Sequence, residues 1–160
     1  MKKNLSLVIL LLAGLATCFQ GSTATAQNKP SAKVAALLEE TGYSYSKAAD
    51  TVWSIQFEGK SLPNFNVIAS APKDVLVLFT VVAKKDTLKL TPDAMQKLLQ
   101  LNSRLDRVKI GIDEDGDLFV RTDLSVRVLD AREMKENIEQ VAAATDVVYA
   151  AVRSSIVGAK

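Results

Sequence analysis

Val75-Leu-Val-Leu-Phe-Thr-Val-Val-Ala83 is apolar at every position but Thr80, which predicts a β-strand buried on both faces at the centre of a sheet. Ala71-Pro72-Lys73-Asp74 reverses the chain just before it. Upstream, Phe65, Val67 and Ala69 alternate with mostly polar neighbours over residues 64–70. Trp53, Ile55 and Phe57 alternate with Ser54 and Gln56 over residues 51–57, and Gly59 and Pro63 mark the turn between the two runs. Three successive strands with short turns read as an antiparallel meander.

Downstream, Thr91-Pro92-Asp93 is a helix start: Thr caps, Pro suits the first turn and Asp meets the positive end of the helix dipole. This helix is expected to turn Met95, Leu98 and Leu99 inward. Two strands follow, residues 107–113 and 117–122, joined by a hairpin around Asp115-Gly116. An extended segment with Leu124, Val126 and Val128 reaches Asp130, which with Glu133 predicts a capping box for the longest helix. That helix carries Met134, Ile138, Val141, Val148, Tyr149, Val152 and Ile156 as one apolar stripe. Before the meander, Ser31 caps a helix with Val34, Leu37 and Leu38 on one face and Gly42 at its end, and a loop with Tyr43 and Tyr45 follows. The expected fold class is α+β, in the order α-β-β-β-α-β-β-α, with helices packed on a mainly antiparallel sheet.

The first residues pair Lys2 and Lys3 with the apolar run from Leu5 to Ala16 and end in Ala24-Thr25-Ala26, the pattern of a signal peptide cleaved after Ala26. The apolar run is shorter than the roughly 20 residues of a membrane helix. Leu15-Ala16-Thr17-Cys18 offers a minority reading, a lipid anchor at Cys18, although Thr17 is an unusual neighbour for a lipidated cysteine. Residues 1–26 are thus expected to be the signal peptide, 27–32 a short polar lead, and 33–157 one domain in the periplasm or outside the cell, with no stable membrane insertion after cleavage. Without the two leader lysines, the 20 Lys and Arg become 18, equal to the 18 Asp and Glu. A neutral mature chain implies no basic surface for nucleic acid. The chain has no His, and its single Cys lies in the leader, so imidazole bases, thiol nucleophiles, Cys/His zinc sites and disulfides are outside its expected chemistry.

The stretch Leu99-Gln-Leu-Asn-Ser-Arg-Leu-Asp-Arg-Val-Lys-Ile-Gly-Ile-Asp-Glu-Asp-Gly-Asp-Leu-Phe-Val-Arg-Thr-Asp-Leu124, together with the order of elements, resembles the helix-to-hairpin core of the YbjN family. These are small bacterial domains whose fold is like that of type III secretion chaperones. The resemblance spans about Ser31 to Ile156. It implies a scaffold that binds polypeptide or dimerises, sometimes described as a signalling regulator, and supplies no catalytic motif. Secretion chaperones are cytoplasmic and typically acidic, whereas this chain reads as exported and neutral, so the effector-chaperone role is not carried over.

The central strand raises a question of cover. With Val75, Val77, Phe79 and Val81 facing the core, Leu76, Leu78 and Val82 would lie on the opposite face beside Ile68, among polar neighbours such as Ser54, Gln56, Lys109 and Arg121. An apolar strip there is covered by one of the chain's own helices, by a second copy or by a client. Ile68, Leu76, Leu78 and Val82 are therefore the expected partner or dimer surface, and Tyr43 and Tyr45 the expected loop contacts. Trp53, Phe57 and Phe65 read as core.

The acidic turn Asp113-Glu114-Asp115-Gly116-Asp117 fails the calcium-loop pattern, which would place Gly111 and Thr122 where acidic ligands belong. It reads as a solvated hairpin turn. Nothing singles out Asp50, Glu58 or Asp86 as paired catalytic carboxylates, and Ser44, Ser46 and Lys47 read as a polar turn. No catalytic, cofactor-binding or metal-ligating residue is assigned, and no cofactor is expected. The function read from the sequence is an exported, non-catalytic binding module for a polypeptide partner or a second copy, with a regulatory or chaperone-like role. The alternative is a periplasmic carrier of a small apolar ligand between sheet and long helix. Hydrolase activity is a third reading.

Overall fold

A computed structural model describes residues 30–158; the predicted leader, its cleavage site and Cys18 lie outside the described residues. The elements are α1 (Pro30–Thr41), β1 (Tyr45–Ala49), β2 (Val52–Phe57), β3 (Phe65–Ser70), β4 (Val75–Ala83), α2 (Pro92–Asn102), β5 (Lys109–Ile112), β6 (Leu118–Ser125) and α3 (Ala131–Val152). The expected order holds, with β1 as one further strand at the sheet edge. The six strands form an antiparallel sheet in the order β1-β2-β3-β4-β6-β5. Residues 75–83 do form a central strand, between β3 and β6, but it is fully buried on one face only, since Val77, Phe79 and Val81 are half-buried and Val75 is exposed.

Local chemistry sets the boundaries. Gly42 stops α1 at φ 77°, a conformation that an L side chain resists. Thr91 caps α2 by accepting a hydrogen bond from the Ala94 N–H, with Pro92 in the first turn. Asp130 caps α3 by accepting from the Glu133 N–H at 2.8 Å, while the Glu133 carboxylate goes to Arg107 at 3.0 Å. In the β5–β6 hairpin Gly116 adopts φ 90°, the Asp113 carboxylate accepts from the Asp117 N–H, and the Asp117 carboxylate holds Lys84 Nζ and the Lys85 N–H. Asp117 thus ties the hairpin to the end of β4, and hydrogen bonding to Lys84 holds its carboxyl below the usual carboxylate range.

The helices lie on one face of the sheet, with α3 across β4 and β6 and in contact with α1 and α2. Where α3 meets the sheet, Leu76, Leu78, Leu118 and Val120 of the strands and Ile138 and Val141 of the helix are each 0% exposed. Here the phase expected for the central strand is inverted. Leu78 stands opposite Ala69 and Thr122, both buried, and Leu76 and Val82 point the same way. Their phase also contains Thr80, whose polarity suggests an outward face. In the fold its hydroxyl donates to the Asn66 carbonyl at 3.0 Å, so the side chain is buried without an unpaired group.

Two further expectations change. Met95 and Leu99 of α2 are 47% and 71% exposed, because the helix packs through Ala94, Leu98 and Leu101. Tyr45, Ser46 and Lys47 belong to β1, not to a loop or turn. The exposed polar residues of β1 leave no apolar alternation to read, and the strand exists because β2 offers it a partner.

Candidate functional site

Reversing the phase of β4 leaves the apolar strip in place but changes its members. Ile68 keeps its expected place on the helix-free face, opposite Phe79 of β4. Val77, Phe79 and Val81 share that face with Phe119 of β6 and are partly exposed. Leu76, Leu78 and Val82 lie in the core and are not available to a partner in this fold. A shallow depression of about 190 Å³ runs over Val77, Phe79, Val81 and Phe119, with Asp113 and Arg121 at its margin. Beside it the Asp123 carboxylate accepts from Lys109 Nζ at 2.6 Å and from Arg121 Nε at 2.7 Å. Burial alone would raise the Asp123 pKa, but these two cations outweigh it and hold the carboxyl below its ordinary range.

A second apolar surface lies on the helix side. Leu90, Met95, Leu98, Leu99, Ile110 and Ile112 line an open groove of about 260 Å³ between α2 and β5. Met95, Leu99 and Ile112 are three of the most exposed large apolar side chains among the described residues. Met and Leu on a helix beside Ile on a strand make a surface that can bury apolar side chains of another molecule, and the thioether of Met95 adapts to irregular shapes. Sequence reading placed Met95 and Leu99 in the core. The signal that could have exposed them is an apolar α2 stripe wider than a single helix contact needs, since Leu98 and Leu99 lie about 100° apart around the axis.

The two tyrosines do not converge on either surface. Tyr43 packs against Phe57, with ring centroids 5.4 Å apart, and its hydroxyl donates to Glu139 at 2.8 Å, while Lys135 lies over the ring. Burial, reinforced by Glu139, pushes its pKa up to about 12. Tyr45 donates to Glu39. Both tyrosines thus join the β1–β2 edge of the sheet to helices α1 and α3. Among the described residues no group of three His, Cys, Asp or Glu is arranged to hold a metal ion.

No curated protein matches the sequence. Among solved structures, the HopA1–SchA chaperone–effector complex contains a chain with 16% identity and TM-score 0.50, matched over 71% of this chain and 90% of its own. The heterodimeric ExoU–SpcU complex of the type III secretion system of Pseudomonas aeruginosa contains one with 14% identity and TM-score 0.51, matched over 76% and 95%. YbjN of E. coli, described as a putative transcription regulator, aligns at 12% identity and TM-score 0.49 over 76% and 87%. At such identities the likenesses to the HopA1–SchA and ExoU–SpcU chains establish a shared fold. Membership rests on the sequence profile of the YbjN family, "Putative bacterial sensory transduction regulator", which matches residues 30–154; the chain belongs to the YbjN family.

Proposed function

We propose that this protein is a non-catalytic binding module that takes an apolar segment of a partner polypeptide into the groove between α2 and β5. The observation that carries the proposal is the exposure of Met95, Leu99 and Ile112 around one depression, in a domain whose core is already filled without them. Between sheet and α3, Leu76, Leu78, Val120, Ile138 and Val141 are each 0% exposed, which favours the groove over the carrier reading. The fold shared with chains from a chaperone–effector complex and a secretion-system heterodimer agrees with a protein-binding role. The helix-free strip around Ile68 and Phe79 is a second contact surface in this reading. Export through the leader at residues 1–26 would place the binding event in the periplasm or beyond.

The test is crosslinking of tagged full-length protein in the envelope of its own cells, followed by mass spectrometry, with wild type and Leu99→Asp compared. Leu99 is 71% exposed, so the variant should melt within about 2 °C of wild type, as expected of a surface change. A partner recovered with wild type and lost with Leu99→Asp supports the groove. Recovery unchanged by Leu99→Asp overturns it, and self-crosslinks alone, lost in the variant, replace the foreign partner with a second copy.

A further inference from the structure

At the floor of the same groove the side chain of Asn102, the last residue of α2, meets the backbone of Ile110 in β5. Asn102 Nδ2 donates to the Ile110 carbonyl at 3.0 Å, and the Ile110 N–H donates to Asn102 Oδ1 at 2.8 Å. The two bonds fix which end of the amide is which, because only the oxygen can receive an N–H and only the nitrogen can meet a carbonyl.

A strand residue sends its N–H and C=O to the same side, and alternate residues send theirs to opposite sides. Lys109 and Gly111, opposite Arg121 and Phe119, therefore turn to β6, while Ile110 turns to the free edge of the sheet. There a carboxamide makes the same pair of bonds that a directly opposed residue of a further antiparallel strand would make. The position is central. In an antiparallel pairing of β5 with β5 from a second copy, a twofold axis at Ile110 would set Ile110 opposite Ile110 and Val108 opposite Ile112, and its two central bonds would need the groups that Asn102 occupies.

We infer that Asn102 is an edge lock: its carboxamide stands in for a seventh strand at Ile110 and prevents the sheet from extending through β5 into a second copy of the chain. Free strand edges are templates for such pairing, and proteins block them by charge, bulges or cover. At the opposite edge β1 carries Lys47 and a register break between Lys47 and Ala49. β5 carries Lys109, which is paired with Asp123, and has no register break, so at its centre the amide of Asn102 covers the backbone groups of Ile110. This inference does not depend on whether the groove takes a partner, since it concerns the backbone edge and not the apolar walls.

The test uses amide hydrogen exchange and analytical ultracentrifugation on the full chain without its leader. In wild type the Ile110 amide should exchange more slowly than that of Ile112, the other β5 residue turned to the free edge, although no strand lies beyond it; Val108 is no reference, because its N–H donates to the Asp106 carbonyl at 2.8 Å. Asn102→Ala should accelerate Ile110 exchange by about tenfold or more relative to the rest of β5, and the average mass should rise with concentration as edges pair. Asn102→Asp keeps the acceptor for the N–H but sets an oxygen against the Ile110 carbonyl, so it should keep most of the Ile110 protection and still associate more than wild type. Fast exchange at Ile110 in wild type overturns the lock without reference to any variant. So does Asn102→Ala that folds, exposes Ile110 and remains monomeric at every concentration.

Discussion

Leu78 and Phe79 are adjacent in β4 but opposite in fate, which makes them the sharpest test of the face assignment. Leu78 is 0% exposed under α3, between Ala69 and Thr122, whereas Phe79 lies on the helix-free face between Ile68 and Arg121. Replacing Leu78 by Ala removes three carbons, worth about 0.8 kcal/mol each or roughly 2.4 kcal/mol by transfer alone. Its cross-strand neighbours are short and cannot swing in to fill the space, so a cavity term adds to this and brings the expected loss to about 3–4 kcal/mol. Against a total stability of about 5–15 kcal/mol this is a large fraction, and at this chain length it lowers Tm by roughly 10–15 °C. Phe79→Ala, on a face open to water, should lose only about 1–2 kcal/mol through its cross-strand contacts. Urea unfolding followed by circular dichroism measures both. If Phe79→Ala proves the more destabilising of the two, the strand faces the other way and the helix-free strip is misassigned.

Three further outcomes follow from the hydrogen bonds. The Asp146 carboxylate accepts the N–H groups of Ser61 and Leu62 at 2.7 and 2.8 Å and so pins the β2–β3 turn to α3. Burial would raise its pKa, but these backbone donors outweigh it and leave it lowered; its contribution is therefore present above the ordinary aspartate range near pH 4 and disappears as pH falls through the lower folded value. Asp146→Asn keeps an acceptor without the charge, so its urea midpoint should fall less steeply than that of wild type below about pH 4. Tyr43 has the opposite sign: with its pKa raised from 10.0 to about 12, its neutral form stabilises the fold below the unfolded value, and this is lost as pH rises toward 12. In a tyrosinate absorbance titration the step near 12 should vanish in Tyr43→Phe. Asp130→Ala removes the α3 cap and should cost about 0.5–2 kcal/mol, read from thermal melts, with amide exchange quickened in the first turn of α3.

Much of the framework was legible because each signal was local. The Thr91 and Asp130 caps, the Gly42 stop and the turn at Gly116 all depend on residues within a few positions of one another. The long α3 stripe was legible for the same reason, since Met134, Ile138, Val141 and Val148 recur at one period and all reach 0% exposure. What could not be read were facts held by distant pairings. Both phases of β4 are apolar, and the choice between them is made by Ala69 and Thr122 across the sheet and by Asn66, which satisfies Thr80. The edge strand β1 has no apolar alternation, and only its pairing with β2 makes it a strand.

The candidate site was missed for a reason that is itself informative. Hydrophobic periodicity finds the apolar side of a helix but not how much of that side the rest of the chain covers. In α2 the covered part is Ala94, Leu98 and Leu101, and the stripe goes on to Met95 and Leu99, which stay exposed along the open groove beside β5. The same surplus appears in β4, where one phase fills the core and the other remains apolar on an open face. A stable fold of this size requires only one of the two in each element, because the buried phase already meets α3 and its neighbours at full contact. The excess is therefore not explained by folding, and in both elements it lies where another polypeptide can reach it.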